Sequence, residues 1–264
     1  MKINELAKIL ESDFPLHYAF EGDNVGLLVG DGNTEITSVL ATCDVDLPVV
    51  KEAIEKGSNL ILSHHPLMFR PLKRLTETNP EQKAIRLAVS NGISIYSAHT
   101  NLDSGRGGIN DLMASMVGMK NTEIIDVLGG EGEHKYGFGR MCDLDKPLTL
   151  TQIMHDVIER FSADGLRYAG DKNSLIRRIA VNTGGGADVI PMCIERGCDL
   201  LITGDIKYNG YRDAVEMGMC IIDIMHYDSE HIVKEWFENY LLEKCPALTV
   251  HKSLSNINLI KSYR

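Results

Sequence analysis

The chain has 264 residues, 44% of them apolar, which is enough for one large or two ordinary packed domains and excludes a disordered chain. Lys plus Arg number 27 against 37 Asp plus Glu, a formal net charge of −10, so broad capture of a phosphate backbone is not expected and nucleic acid is not an expected partner. The N-terminus lacks an apolar leader, no window approaches the roughly 18 uninterrupted apolar residues of a membrane span, and Cys43, Cys142, Cys193, Cys198, Cys220 and Cys245 show no CxxC spacing, all of which predicts a soluble, cytoplasmic protein with buried thiols, no disulfide framework and no membrane partner.

In chain order, Asp23-Asn24-Val25-Gly26 reads as a polar turn leading into the strand Leu27-Leu28-Val29. Val39 to Cys43 reads as a buried strand, Pro48 to Lys56 as a helix closed by Gly57, and Leu60 to Ser63 as the next strand. A helix from Glu81 to Ser90 ends before Gly92 and is followed by the strand Ile93 to Ser97, with a further helix near Asn110 to Met116. The same grammar then returns as Ile179 to Asn182, Val189 to Arg196, Leu200 to Thr203, Arg212 to Met217 and Cys220 to Ile224.

That return is a repeat. Displaced by 140 positions, residues 27 to 65 pair with 167 to 205 without a gap, and nine of the 39 pairs are identical, among them Gly30/Gly170, Asp31/Asp171, Asn33/Asn173, Gly57/Gly197 and Leu60/Leu200. Beyond residue 66 the displacement falls to 126, which pairs Ala88-Val89 with Ala214-Val215 and Gly92 with Gly218. The chain is therefore expected to be α/β, two similar duplicated halves with mostly parallel sheets covered on both faces. The predicted halves are residues 1–125, completed by the C-terminal segment 222–264, and residues 126–221.

The chemistry-bearing residues follow strand ends, where sites form in α/β sheets. His64 and His65 come directly after one strand; neighbouring side chains on extended backbone diverge, which suits two ions, or one ligand and one supporting donor. His226 and Glu230 are four apart, the spacing that stacks two side chains on one helix face, and a carboxylate can bridge two ions; a plain solvated helical turn has the same spacing. Asp103 is a candidate ligand, or a turn or capping residue, and His99 a supporting hydrogen-bond donor or a structural histidine. Asp205 stands at the repeat position of His65 as a ligand, a supporting acceptor or a base, and Thr183-Gly184-Gly185-Gly186 as an anion cradle or a tight turn. The first copy carries 14 extra residues after the double histidine, and in them Arg70, Lys73 and Arg74 form a basic segment suited to an anionic substrate or to plain solvation.

The ordered set Ser63-His64-His65-Pro66-Leu67, His99-Thr100-Asn101-Leu102-Asp103, Gly107-Gly108-Ile109-Asn110, Thr203-Gly204-Asp205 and His226-Tyr227-Asp228-Ser229-Glu230 resembles the Nif-three-like family, also called GTP cyclohydrolase 1 type 2 homologs, over essentially the whole chain. The resemblance implies a dinuclear metal centre in the cleft between two α/β halves, with His65 and Asp103 on one ion, His64 and His226 on the other, and Glu230 bridging. It also implies a homo-oligomer, a toroidal homohexamer with its metal sites facing an internal cavity. Two positions depart from the family pattern: Gly22 stands where a Trp often precedes Asp-Asn, and Asn209 where a His often follows Thr-Gly-Asp. Both concern substrate contacts more than metal binding.

The function expected is that of a metal-dependent hydrolase in which two ions acidify a water that attacks a small anionic substrate, nucleotide-like or phosphorylated. Imidazole with carboxylate and no thiolate suits Zn, Mn, Fe, Co or Ni and does not choose among these divalent ions. The other class the residues allow is a non-catalytic metal-binding scaffold or regulator acting through protein partners.

Overall fold

The computed structural model describes residues 1–261. After α1 (Ile3–Asp13) come β1 (Gly26–Val29), β2 (Val39–Thr42), α2 (Leu47–Lys56), β3 (Leu60–Ser63), α3 (Pro80–Ser90), β4 (Ser94–Ser97) and α4 (Thr100–Ser104). The middle of the chain holds α5 (Ile109–Met116), β5 (Glu123–Gly129), β6 (Tyr136–Thr149), α6 (Leu150–Phe161), β7 (Arg167–Ala169) and β8 (Leu175–Gly185). It continues with α7 (Ile190–Glu195), β9 (Leu200–Gly204), α8 (Tyr208–Glu216), β10 (Cys220–Asp223) and α9 (His226–Glu230), and α10 (Val233–Lys244) and β11 (Val250–Lys252) follow. Two compact units result: Met1–Leu102 with Val233–Ile257, and Asp103–Ile232 with the described residues from Asn258 on.

Local chemistry sets the element ends. Asp46 caps α2 by accepting from the Val49 amide at 2.9 Å, and the helix stops at Gly57 in a left-handed conformation. At α6 the Thr149 side chain and Gln152 cap reciprocally.

In the first unit the sheet order is β1-β4-β3-β2-β11, parallel except where β1 runs against β4. Leu40, Ile61 and Ile95 on one face pack with Val49, Val50 and Ala53 of α2 and Ala84, Ile85 and Ala88 of α3. The alternate residue Tyr96 instead donates its hydroxyl to Glu11 of α1. In the second unit the order is β5-β6-β8-β9-β10-β7. Ile179, Val181, Leu200, Ile202 and Ile222 pack under α6 and α5, while Ala180, Leu201 and Ile221 pack under α7 and α8. Each buried strand thus divides its residues between two cores, which explains its unbroken apolar run.

The duplication is written in the strand register. Val39 pairs with Leu60 and Ile179 with Leu200; Ser97 pairs with Ser63 and Asp223 with Thr203. Asn59 accepts from the Thr37 amide and Asp199 from the Arg177 amide, at equivalent places. Gly30 (φ +108°) and Gly170 (φ +119°) pass so close to the side chains of Ser94 and Cys220 that a Cβ would overlap them, and both bring an antiparallel edge strand onto the sheet. The parallel expectation holds for the shared β2-β3-β4 and β8-β9-β10 pairings. The second sheet is nevertheless mixed, because β5, β6 and β7 all join it antiparallel. All six cysteines are buried and none forms a disulfide. No described helix is long and apolar enough to cross a membrane.

The C-terminal return into the first unit is fastened by a carboxylate. Glu52 of α2 accepts from Ser253 Oγ and from the amides of Leu254 and Ser255. Burial would raise its pKa, but those donors hold it below the ordinary 4.5. A lowered folded-state pKa gives stability that is complete above about pH 4.5 and is lost as pH falls below it. Glu52→Gln should therefore flatten the acid side of the stability profile of the first unit, measured by urea unfolding between pH 5 and about pH 3. An unchanged acid limb would assign the loss to other carboxylates.

Candidate functional site

In the first unit the parallel ladder of β2 and β3 runs on past the strand ends, with the His64 and His65 amides donating to the carbonyls of Thr42 and Cys43. That extension fixes where the two imidazoles start, and β4 delivers a third, His99, two residues beyond its own end. The ring centroids of the three lie 5.1 to 5.3 Å apart. One ligand atom of each falls within 4.8 Å of the others, a spacing that fits shared metal ligation.

Each ring is oriented through Nδ1. His64 Nδ1 lies 2.9 Å from the Ala98 carbonyl, His65 Nδ1 2.7 Å from Asp44 Oδ1, and His99 Nδ1 2.8 Å from Asp23 Oδ2. An acceptor on Nδ1 sets the Nδ1–H tautomer and makes Nε2 the basic, ligating nitrogen. Asp23 is nearly fully buried and also accepts from the Thr100 hydroxyl. Burial pushes its pKa up, but the hydrogen bond and charge of His99, with Thr100 and the Asn24 amide, bring it down to about 2. Asp44 is steadied in turn by the Nδ2 of Asn256, which reaches it from the C-terminal return. Cys43 Sγ lies 3.9 Å from His65 Nδ1.

In the second unit α9 places His226 and Glu230 one turn apart, and Nε2 and Oε2 converge to 3.0 Å. His226 Nδ1 meets Asp205 Oδ2 at 2.9 Å, repeating the pattern of the other three rings. Two residues flanking this point hold left-handed backbone without being glycine, Asp205 at φ 56° and Met225 at φ 72°. Such strain is retained where it aims a functional group. The end of β8 carries the rest: Thr183 Oγ1 lies 3.5 Å from Asp103 Oδ1, and the Thr183 amide donates to Asn110, which itself binds the Asp103 carbonyl. Asp103 and Glu230 are both buried.

Gly184, at φ +62°, leaves room for this arrangement, since a Cβ there would overlap Glu230 Oε1 and crowd His226. Its amide donates to Ser229 Oγ at 2.8 Å. The glycine thus serves the close approach of α9, and its amide is not turned to a bound anion.

Of the residues singled out in the sequence, His64, His65 and His99 are brought together in the first unit, and Asp103, Asp205, His226 and Glu230 lie around the ends of β8, β9 and β10 in the second. Arg70 lines a cavity of about 480 Å³ beside His65, together with Phe69, Leu72 and Asp44; Lys73 and Arg74 are exposed and do not line it. Asp23 and Asp44, which orient two of the histidines, escaped sequence reasoning: Asp23 read as a turn residue, and Asp44 follows the strand ending at Cys43 with no motif around it to mark it. The one signal for Asp23 was the Gly22-Asp23-Asn24 motif that the family resemblance already marked.

The chain is 41% identical over 231 residues to a Clostridium perfringens protein called GTP cyclohydrolase 1 type 2 homolog, covering 87% of each. Protein SA1388 of Staphylococcus aureus matches its fold with a TM-score of 0.90 at 31% identity, covering 100% of this chain and 99% of that one. A Bacillus cereus protein related to NIF3 matches with a TM-score of 0.91 at 25% identity over the same shares. The Duf34/NIF3 (NGG1p interacting factor 3) family model matches residues 1–258. The chain belongs to the Duf34/NIF3 family.

Proposed function

We propose that the histidine cluster of the first unit and the His226/Glu230 pair of the second form one dinuclear centre, and that the protein is a metal-dependent hydrolase of a small anionic, nucleotide-like or phosphorylated molecule. His65 and Asp103 would hold one ion, His64 and His226 the other, and Glu230 would bridge them. The observation carrying this reading is the uniform clamping of four imidazoles through Nδ1, by Ala98, Asp44, Asp23 and Asp205. Metal-binding histidines are characteristically held by an acceptor on one ring nitrogen so that the other ligates, and here three of the four acceptors are carboxylates. When bound, two divalent ions would lower the pKa of water and stabilise developing negative charge.

The residues of the chain divide the remaining work. His99, held by Asp23 through Nδ1, would offer its Nε2 lone pair beside His64 and His65 as a further ligand or as a hydrogen-bond acceptor for substrate. Arg70 would bind an anionic group in the cavity beside His65, and Phe69 and Leu72 would pack on the apolar part of the molecule. The relative called GTP cyclohydrolase 1 type 2 homolog supports a nucleotide-like substrate. Assembly as a homohexamer belongs to the same reading and is checked by sedimentation.

Protein reconstituted with Zn, Mn or Fe and screened against nucleotides and phosphoesters should show turnover that chelation and His64→Ala both abolish. No turnover with any metal would sink the hydrolase reading. Arg70→Ala should raise KM roughly tenfold or more while leaving metal content unchanged, because a charge-assisted hydrogen bond to substrate is lost. Lys73→Ala should change neither. Equal effects at the two positions would remove Arg70 from the cavity's chemistry.

A further inference from the structure

A second cavity, of about 590 Å³, lies wholly within the second unit, between α6 and the edge strand β7. The helix presents two faces. Leu150, Ile153, Val157 and Phe161 enter the core, Thr151, His155 and Ile158 line the cavity, and Met154, itself buried in the core, borders both. The opposite wall is Leu166, Arg167 and Tyr168, with Lys172 and Met225 also contributing.

Its lining is basic although the chain is acidic overall. In a chain with 37 acidic residues, no Asp or Glu lines this cavity, whereas Arg167, Lys172 and His155 do. The cavity beside His65, by comparison, is lined by Asp44, Asp46 and Glu81 as well as Arg70. Lys172 Nζ stands 5.6 Å from the centroid of the Tyr168 ring, so a cation and an aromatic face are offered side by side. Met154, Ile158 and Leu166 supply soft apolar walls. The volume lies in the range of small-molecule sites.

From this arrangement we propose that the second unit carries a separate site for a phosphorylated small molecule with a flat apolar body, a nucleoside monophosphate being the simplest, and that this site is coupled to His226 through Met225. Arg167, Lys172 and His155 take the phosphate; Tyr168 and the apolar wall take the flat body.

The coupling follows from what Arg167 already holds. Its Nη2 lies 2.9 Å from Oδ2 of the fully buried Asp223 and 3.1 Å from Met225 Sδ. Nε and Nη1 carry three further N–H groups, and the side chain is 55% exposed. Met225 sits at φ 72°, its amide donating to Asp223 Oδ1 at 2.8 Å, and the next residue is His226. A phosphate that draws on Arg167 competes with the Met225 contact and so biases the strained peptide that presents His226. The site itself is independent of the hydrolase reading.

The test uses metal-stripped full-length protein labelled with ¹³C at the methionine methyls and titrated with adenosine monophosphate. Saturable binding below about 1 mM is expected, with the Met154 and Met225 methyl resonances moving together. Tyr168→Ala/Lys172→Ala should weaken binding at least about tenfold, and inorganic phosphate should compete at least about tenfold less well. Arg70→Ala, in the other cavity, should leave the titration read at Met154 and Met225 unchanged. The proposal is overturned by absence of saturable shifts at Met154 and Met225, by a double variant that titrates as wild type does, by phosphate competing as well as the nucleotide, or by loss of those shifts in Arg70→Ala. Because no metal is present, failure of the hydrolase reading leaves this result untouched.

Discussion

Glu230→Ala should cost the protein at least one bound ion, while Asp205→Ala keeps both. With the wild-type chain loaded to about two transition ions, removal of the proposed bridging carboxylate leaves two like-charged ions with less compensating charge between them. Glu230 is buried on α9, so solvent cannot make up the deficit. Asp205 stands behind His226, on Nδ1, and is about half exposed. Losing such a supporting carboxylate weakens metal affinity by roughly 10- to 100-fold without removing a ligand. Elemental analysis of both variants after gel filtration decides the matter. Loss of metal in Asp205→Ala with full retention in Glu230→Ala would show that the ligand set is wrongly drawn.

Arg140→Met should destabilise the second unit by about 3–5 kcal/mol, the largest loss expected of any single substitution outside the apolar cores. The guanidinium is fully buried. It binds Asp111 through Nε at 2.8 Å and Nη2 at 3.0 Å, and donates to the carbonyls of Gly105, Gly137 and Gly139, each at 2.9 Å. Methionine fills much of the volume but leaves those carbonyls unsatisfied and takes from Asp111 its nearest cation, leaving it Arg106 at 3.5 Å and the Gly107 amide at 2.8 Å. Arg178→Met makes the control, since its partner Asp143 is exposed and such a surface pair is worth under about 1 kcal/mol. Urea midpoints of the two variants should therefore separate widely. An Arg140→Met midpoint equal to that of Arg178→Met would mean that the buried network contributes little net stability. Because Arg140 also anchors the loop just after Asp103, its loss should lower metal content too.

The repeat was legible because it lies in elements whose burial constrains every residue: Leu40, Ile61 and Ile95, and their counterparts Ala180, Leu201 and Ile221, keep apolar character at equivalent places. The hairpin of β5 and β6 was not legible. It has no counterpart in the first copy, and the polar run from Asp143 to Thr149 in β6 carries no apolar period. At the site, His64-His65 and His226-Glu230 could be read because their spacing alone implies a geometry. The acceptors Asp23 and Asp44 reach His99 and His65 from 76 and 21 residues away. A lone aspartate in a turn looks the same whether or not it orients an imidazole.

The interruption of the first unit matters when the chain is made. Its sheet is completed only when β11 pairs alongside β2, and β11 lies more than a hundred residues beyond β4. At ribosomal speeds of about 5–20 residues per second, β2 would wait on the order of ten seconds or more as an open edge. An open edge of the apolar run Val39-Leu40-Ala41 is a template for pairing with other chains. The second unit is nearly continuous and can close in that interval. Nascent chains should therefore pass through a stage with the second unit folded and the first still seeking its last strand, which is when chaperone contact would be most useful.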